Sequence, residues 1–295
     1  MSRATTENID LAAVLRIRMA LPTLTDKERA ITHHMLDMGA AMQGVAIRRI
    51  AETMGASDAM IVKLAQKLGF SGYRELKQTL VNYGRSSVAG LHREINPDDD
   101  AQLSVSKVFN TAVQSLQETL AVLDYAQLEA AAKAIATAGQ RNFYGTGGSG
   151  IVAEDASHKF LRIGLVSTTY TDAHLMAMSS ALLEKGDVAL GVSYSGETRI
   201  VVDALERASK SGATVIAITN FAGSSITRNA DIVLHTTARG SALNSESVAA
   251  RIAQLCLIDA LFVRVVQADY TQSMSRLSRT MSSIDLLRFN QPSPR

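Results

Sequence analysis

Cysteine and long apolar runs are scarce in this chain of 295 residues. The single cysteine, Cys256, cannot form an internal disulfide. It lies in the apolar stretch AQLCLIDALFV, so we expect a buried structural thiol. No apolar run reaches the roughly 20 residues that cross a bilayer. The first ten residues carry two acidic side chains and no apolar core, unlike a secretory signal. These absences predict a cytoplasmic protein.

A strong excess of one charge is also lacking, since the formal net charge is only +2. The positive charge is nevertheless concentrated, because residues 45–85 hold 7 Lys and Arg against 3 Asp and Glu, whereas residues 91–295 hold 18 against 20. A basic stretch favours contact with nucleic acid, but a solvated helix face produces the same pattern. Charge by itself therefore gives DNA binding only a slight advantage.

Residues 47–66, IRRIAETMGASDAMIVKLAQ, satisfy the requirements of a helix-turn-helix. The small Ala51 lies where two helices would cross, and Gly55 supplies the positive φ of the turn. Ser57 or Asp58 can cap the second helix. This combination predicts that the second helix lies in the major groove of DNA. The apolar positions that face inward are Ile50, Met54, Ile61 and Leu64.

The outward positions of the second helix are the candidates for DNA contacts. Gln66 has the chemistry to read adenine, and Lys63 to read guanine or to hold a phosphate. A helical bundle that binds a protein, with these charges merely solvated, is the alternative. The full set of outward positions is Ser57, Asp58, Ala59, Met60, Lys63, Gln66 and Lys67. The expected contacts to the DNA backbone come from Arg48, Arg49, Tyr73 and Lys77.

The hydrophobic periodicity changes partway along the chain. Apolar residues recur at helical spacing through the first ninety residues, whereas short β-rich runs alternate with helical stretches from about residue 141. Alternating apolar strands and helices predict a parallel sheet that is covered on both faces. The predicted strands are 141–144, 165–170, 187–193, 214–219 and 231–236, and the predicted helices between and after them are 150–162, 173–184, 198–211 and 247–268.

We therefore predict an α/β fold class, with an N-terminal all-α helix-turn-helix domain joined to a five-stranded, doubly wound parallel-sheet domain. The linker between them is indicated by Gly, Pro and an aspartate run in residues 85–102. The predicted segments are 1–84 for the helix-turn-helix domain, 85–124 for a linker and connecting helix, 125–271 for the α/β domain and 272–295 for a C-terminal tail.

The loop 144–150, YGTGGSG, follows a predicted strand and begins a helix, where backbone N–H groups and the helix dipole attract anions. A Rossmann dinucleotide site requires an acidic residue at the end of the second strand, which residues 165–170 lack. The Gly-Lys-Ser/Thr of a nucleotide P-loop is missing as well. On its own this loop is a weak indication of an anion site.

The loop 193–198, SYSGET, is a stronger indication. Ser193, Ser195 and Thr198 place three hydroxyls at the start of one helix, where ordinary capping needs only one. Hydroxyls and backbone amides suit a phosphate monoester that is bound without Lys or Arg. Both loops follow the carboxyl ends of parallel strands, where open α/β sheets bind ligands.

These motifs together resemble a known family. A helix-turn-helix followed by LGFSGYRELKQTL (68–80), then GTGGSG (145–150) and SYSGET (193–198), is similar to the RpiR family of transcriptional regulators, and the C-terminal module resembles the SIS (sugar isomerase) domain. Asp172 and His174, after the second predicted strand, also fit the family pattern. The resemblance covers most of residues 8–270.

The resemblance implies a sugar-phosphate effector that alters the affinity for a DNA operator at carbohydrate metabolism genes. It also implies a homodimer or homotetramer, and two reading helices predict a palindromic or nearly palindromic operator. No metal, cofactor, catalytic residue or membrane partner is expected. The residues implied to hold the phosphate are Ser149, Ser193, Ser195 and Thr198, with Thr146, Gly147 and Gly148 nearby.

Three questions stay open at the level of sequence. Glu246, in the unusual segment 241–247, either reaches a sugar hydroxyl or lies at a helix N-terminus. An aldose–ketose isomerase of the same fold would need a carboxylate base, for which Glu246 and Glu197 are candidates, and usually an acid such as histidine. No histidine follows His235, and His174 has a structural role as readily as a chemical one. A protein that associates with DNA without sequence preference is the third possibility.

Overall fold

The computed structural model describes residues 3–85, 95–238 and 248–285, with the backbone alone for residues 3–9. The chain forms two compact units. The first contains Met1–Leu123, Asn220–Ser224 and His235–Ala253, and the second contains Asp124–Thr219, Ser225–Leu234 and Gln254–Arg295. The units interleave along the chain, so the four segments expected from the sequence stay a prediction. Within the described residues, no helix is both long and apolar enough to cross a membrane.

The N-terminal part of the chain is helical, as expected. Its apolar core joins side chains such as Val14, Ile31, Ile61 and Leu80, which are buried between successive helices. The start of the helix at Asp26 has a local cause, because the Thr25 side chain accepts from the Glu28 backbone N–H and the Glu28 carboxylate accepts from the Thr25 N–H. The helices are α1 (Arg3–Ala20), α2 (Asp26–Met38), α3 (Ile47–Thr53), α4 (Asp58–Lys67), α5 (Tyr73–Gly84) and α6 (Ala101–Val122).

The remainder alternates strands with helices and contains the predicted five-stranded parallel sheet, in the order β2-β1-β3-β4-β5. Its strands are β1 (Arg141–Tyr144), β2 (Thr168–Tyr170), β3 (Val188–Val192), β4 (Thr214–Thr219) and β5 (Ile232–His235). Its helices are α7 (Tyr125–Thr137), α8 (Gly147–Arg162), α9 (Ala173–Ala181), α10 (Arg199–Lys210), α11 (Val248–Ala268) and α12 (Tyr270–Asp285).

The strand order places a switch point between β1 and β3. From β1 the chain moves to β2 at one side, and from β3 it moves to β4 at the other, while β1 and β3 are hydrogen-bonded neighbours with Tyr144 opposite Gly191. The segments that follow β1 and β3 therefore diverge and leave a crevice at the carboxyl end of the sheet. The two hydroxyl- and glycine-rich loops follow these two strands.

Two expectations about the α/β part are wrong in detail. The second strand begins at Thr168 rather than 165, because Gly164 has a positive φ of 76° and the Leu165 N–H still donates to the Phe160 carbonyl at the end of α8. Cys256 is exposed rather than buried. It lies on the face of α11 opposite the buried Leu257, Ile258 and Leu261, and an apolar sequence alone does not reveal which face of a helix points outward.

Candidate functional site

The turn between α3 and α4 has the geometry that a helix-turn-helix requires. Gly55 adopts φ 57°, and the Ala56 N–H donates to the Ala51 carbonyl oxygen at 2.8 Å, which closes the end of α3. The Ser57 hydroxyl accepts from the Met60 N–H and caps α4. Ala51 is buried at the helix crossing, and the inward apolar positions Ile50, Ile61 and Leu64 are buried too, with Met54 half-buried.

Most of the candidate DNA-contact residues are exposed, but some of their side chains already form ion pairs within the protein. Arg48 pairs with Glu52, and Lys67 pairs with Glu28 at 2.7 Å, so both cations are partly neutralised within the protein. Met60 is half-buried against the core. The side chains of Arg49, Lys63 and Gln66 make no hydrogen bond or ion pair with the described part of the chain. The exposed candidates are Arg48, Arg49, Ser57, Asp58, Ala59, Lys63, Gln66 and Lys67.

Tyr73 and Lys77, both on α5, contact the backbone just before the helix-turn-helix. The Tyr73 hydroxyl and the Lys77 Nζ both donate to the Val45 carbonyl oxygen, at 3.1 and 3.2 Å, and the Lys77 ammonium lies 5.6 Å from the centre of the Tyr73 ring. Tyr73 is buried, which raises the pKa of its phenol. Both polar groups thus bind the backbone just before α3, and the contacts with the DNA backbone expected of Tyr73 and Lys77 stay a prediction.

The loop after β1 brings backbone amides to the open start of α8. Thr146 is the N-cap residue, but its hydroxyl makes no capping hydrogen bond, and the first amides of a helix have no intrahelical acceptor. Position 147 favours glycine because its φ of 54° lies in the left-handed region that other residues rarely adopt. Position 145 requires glycine for a steric reason, since a Cβ there would lie 2.6 Å from the Ser149 carbonyl oxygen. Ser149, in the first turn of α8, is half-buried.

The loop after β3 gathers the three predicted hydroxyls. Ser193 is buried; its Oγ lies 3.0 Å from the Thr198 Oγ1 and accepts from the Gly196 N–H at 3.0 Å. The exposed Ser195 Oγ accepts from the Glu197 N–H at 3.1 Å. Gly196 supplies the positive φ, 68°, that lets the backbone turn over these hydroxyls. The side chain of Thr198, the N-cap residue of α10, makes no capping bond.

A segment between β4 and β5 supports this loop, although no sequence motif indicates a role for it. The Ile226 N–H donates to the Gly196 carbonyl at 2.9 Å. The Glu197 carboxylate accepts from the Ser225 N–H and hydroxyl at 2.9 and 2.6 Å, and these bonds hold the pKa of Glu197 below its ordinary value. The partners are separated by about thirty residues, so no local sequence pattern reveals them.

The other candidates have simpler surroundings. Asp172 caps α9, because its Oδ1 accepts from the His174 and Leu175 N–H groups at 2.9 and 3.0 Å, and His174 itself is exposed. This arrangement explains the Asp172–His174 motif as a helix cap. Glu246 lies outside the described residues.

Comparisons with known proteins match each half of the chain to a domain family. A SIS domain matches residues 134–264, and the rpiR-family helix-turn-helix domain matches residues 12–87. The HTH-type transcriptional regulator RpiR of Escherichia coli (strain K12) is 38% identical over 269 residues, which is 91% of each chain. The chain belongs to the RpiR family of transcriptional regulators. It is an RpiR-type regulator with a SIS domain, as the sequence motifs predicted.

Two solved structures share the fold of this RpiR-family chain. The Vibrio vulnificus NanR protein complexed with ManNAc-6P is 24% identical, with a TM-score of 0.61, and the match covers 94% of this chain and all of that one. The sugar isomerase domain of an RpiR transcription factor from Sphaerobacter thermophilus is 26% identical, with a TM-score of 0.56, over 61% of this chain and 99% of that one.

Proposed function

We propose that this RpiR-family protein binds a palindromic or nearly palindromic operator as a homodimer or homotetramer, and that a phosphorylated sugar controls its operator affinity. The observation that supports the sensing role is the position of the two loops. Loops 145–150 and 193–198 follow adjacent parallel strands at the switch point of the sheet, and each begins a helix. Genes of carbohydrate metabolism are the expected targets.

The chemistry of the loops suits a phosphate monoester. The N-termini of α8 and α10 offer unpaired backbone N–H groups and the positive ends of two helix dipoles, which stabilise a dianion without Lys or Arg. The Ser193 and Thr198 hydroxyls, now 3.0 Å apart, can each turn to donate to a phosphate oxygen. Ser195 would contact the phosphate from its solvent-facing side. The first loop would contribute further contacts from Thr146, Gly147, Gly148 and Ser149. The Vibrio vulnificus NanR complex with ManNAc-6P makes a sugar phosphate a sensible first class to test.

The DNA-facing residues divide by chemistry. Lys63 and Gln66, exposed on α4, are the candidates for reading bases, and Arg49 is a candidate for a phosphate contact. Ser57 and Asp58 lie at the N-terminus of α4, which is the end of a recognition helix that meets base edges. Arg48 and Lys67 can contribute once DNA phosphates compete with Glu52 and Glu28.

A regulatory role without catalysis is part of the proposal, and so is a cytoplasmic location. Isomerisation needs a carboxylate that accepts a proton from carbon, and a lowered pKa makes Glu197 a weak base. Its two bonds from Ser225 also hold the carboxylate in place. Turnover of any sugar phosphate above about 1 s⁻¹ by the purified protein would contradict this reading.

The ligand must bind two states of the protein unequally to act on DNA affinity. A coupling of about 1–3 kcal/mol, or 5–150-fold in affinity, is usual for such effectors. The same coupling requires operator DNA to change the affinity for the sugar phosphate by the same factor, so both affinities can be measured as a check on the mechanism.

Ser195→Asp tests the sensing half of the proposal. The new carboxylate would repel the phosphate, so we expect at least tenfold weaker binding of the responsive sugar phosphate and loss of its effect on operator binding, with DNA affinity nearly unchanged. The measurement is thermal shift against hexose, pentose and amino-sugar phosphates, followed by operator titration. Ser278→Asp, on the exposed face of α12, adds the same charge elsewhere and should respond like the wild type. A normal response by Ser195→Asp would show that the site is misplaced.

A further inference from the structure

The loop that follows β4 (residues 220–226, called the β4 loop below) is shared by the two units of the chain. Asn220–Ser224 belongs to the first unit, which contains the helix-turn-helix, and Ser225–Leu234 belongs to the second, which contains loops 145–150 and 193–198. The chain therefore passes from one unit to the other between Ser224 and Ser225. Because the two parts of the loop are joined directly by the backbone, a displacement of one part shifts the other.

The last residues of the β4 loop are bonded to the peptide group that joins Gly196 to Glu197. The carbonyl of this peptide group accepts from the Ile226 N–H at 2.9 Å, and its N–H donates to the Ser195 hydroxyl oxygen at 3.1 Å. The Glu197 carboxylate adds the two bonds from Ser225 described above. A peptide group is planar, so its N–H and its carbonyl turn together. If the N–H turns toward a phosphate oxygen, the carbonyl turns as well, and the Ile226 N–H either follows it or loses its bond.

Hydrogen bonds also hold the first residues of the β4 loop and close its middle into a compact turn. The Ser224 hydroxyl, which is buried, donates to the Phe221 carbonyl at 2.8 Å. The Asn220 side chain, which is buried as well, accepts from the Ala238 N–H at 2.7 Å. Because the start of the loop is held in place, a displacement of its last residues is taken up by its middle.

The middle of the β4 loop contacts the turn between α1 and α2. Gly223 has a φ of 72°, and a Cβ built on it would lie 2.9 Å from the Thr23 methyl carbon, so the backbone of the loop packs on this methyl group. The Thr23 hydroxyl donates to the Ala20 carbonyl at 2.7 Å and stabilises the turn. The next residue, Leu24, is buried in the apolar core of the helical unit. A movement of the loop at Gly223 therefore displaces this turn.

The turn between α1 and α2 leads directly into the helix that contacts the helix-turn-helix. In the first turn of α2, the Lys27 ammonium donates to the Gly55 carbonyl at 2.5 Å, between α3 and α4. The Glu28 carboxylate pairs with Lys67, near the end of α4, at 2.7 Å. A displacement of the start of α2 therefore changes the position of α4, the helix expected to read DNA.

We propose that the β4 loop is a relay, through which a phosphate bound at loop 193–198 displaces the start of α2 and, with it, α4. The inference rests on the sensing role proposed above and names its route to the DNA-binding helices. The relay has two states, which differ in whether the Glu197 N–H is bonded to Ser195 or to a phosphate oxygen. A ligand that stabilises the second state shifts the population of α4 positions, which is what control of operator affinity requires.

Ser225→Ala tests the relay in the full-length chain. It removes the hydroxyl that donates to Glu197 at 2.6 Å and changes none of the residues proposed to hold the phosphate. Hydrogen–deuterium exchange is measured by mass spectrometry with and without glucose 6-phosphate, ribose 5-phosphate or glucosamine 6-phosphate.

In the wild type we expect slower exchange in residues 193–198, together with a change of at least about fivefold in the exchange rate of residues 20–25, the lower end of usual allosteric coupling. Ser225→Ala should keep the first effect and lose the second. Ser209→Ala removes a hydroxyl near the end of α10 and is the matched control, which should keep both effects.

Thr23→Ser is an independent variant at the other side of the relay. It removes the methyl group that packs on Gly223 and keeps the hydroxyl that donates to the Ala20 carbonyl. We expect it to retain the slower exchange of residues 193–198 and to lose most of the response in residues 20–25. Circular dichroism of every variant checks that the fold is retained.

The outcomes separate the relay from the proposed function. Slower exchange in residues 193–198 without a response in residues 20–25 overturns the relay, and so does a Ser225→Ala protein that keeps both effects. If no sugar phosphate slows exchange in residues 193–198, the sensing proposal fails, and the relay is decided without ligand. In that comparison Ser225→Ala should speed exchange in residues 20–25, because the turn loses part of its support, whereas Ser209→Ala should not. Equal exchange in the wild type and both variants overturns the relay.

Discussion

In loop 145–150, Gly145 is constrained by its backbone neighbours independently of the proposed ligand. A Cβ at Gly145 would lie 2.6 Å from the Ser149 carbonyl oxygen and 2.8 Å from the carbonyl carbon. Both are backbone atoms in the first turn of α8, so a change of side-chain rotamer cannot relieve the clash. Gly145 is therefore required for the close approach of strand and helix that forms the loop.

Gly145→Ala should destabilise the second unit by about 1–3 kcal/mol, the usual cost of overpacking, and should weaken sugar-phosphate binding as the loop shifts. The measurement is urea unfolding combined with ligand titration. Thr146→Ala is the control for stability, because the Thr146 hydroxyl makes no capping bond and its loss should barely change the unfolding midpoint. Equal stability of Gly145→Ala and the wild type would mean that the loop is looser than the distances imply.

At the scale of elements, Glu28 connects the start of α2 to the end of α4. Its carboxylate accepts from the Thr25 N–H at 2.9 Å and pairs with Lys67 at 2.7 Å. Lys67 and, after it, the Thr25 backbone hold the pKa of Glu28 below its ordinary value of 4.5. The ionised carboxylate thus favours the folded state. That contribution is complete above the unfolded pKa and is lost as the pH falls through the lower folded pKa.

Two substitutions separate the cap from the ion pair. Glu28→Gln can keep the capping box, so at pH 7 we expect a loss of no more than about 1 kcal/mol. Glu28→Ala removes both interactions and should cost about 1–2 kcal/mol. Unfolding measured at several pH values should show the difference between wild type and Glu28→Gln shrinking below pH 4.5. Glu52→Gln breaks the exposed pair with Arg48 and serves as the control with little effect. A difference that grows on acidification would contradict this assignment.

At the scale of the whole molecule, the proposed homo-oligomer makes the spacing of operator half-sites a geometric prediction. Two copies of α4 meet the same side of the duplex only when the half-sites are separated by whole turns of about 10–10.5 base pairs. Inserting five base pairs between the half-sites should therefore reduce affinity at least tenfold, and inserting ten should recover part of it. Gel-shift titration at fixed salt measures both. Affinity that is indifferent to spacing would favour a protein that binds DNA without such symmetry.

Local chemistry explains which features could be predicted from the sequence. A turn glycine between two amphipathic helices and hydroxyl-rich loops after apolar strands are short-range patterns, because φ angles, helix caps and strand periodicity depend on neighbouring residues. Ala51, Gly55 and Ser57 accordingly have the surroundings expected of a helix-turn-helix. The alternation of apolar strands and helices along the sequence was enough to predict the five-stranded parallel sheet.

The amino-acid sequence by itself determined the family, the two kinds of domain and the two loops, since each is encoded in a run of adjacent residues. Only the tertiary structure decided which side chains are already occupied and which faces point outward. It placed Tyr73 on the Val45 carbonyl and Glu197 on Ser225, and it left Phe109 of α6 exposed. These outcomes depend on partners tens of residues away, and burial and pairing over that distance are set by how the elements pack, not by what stands next to a residue in the chain.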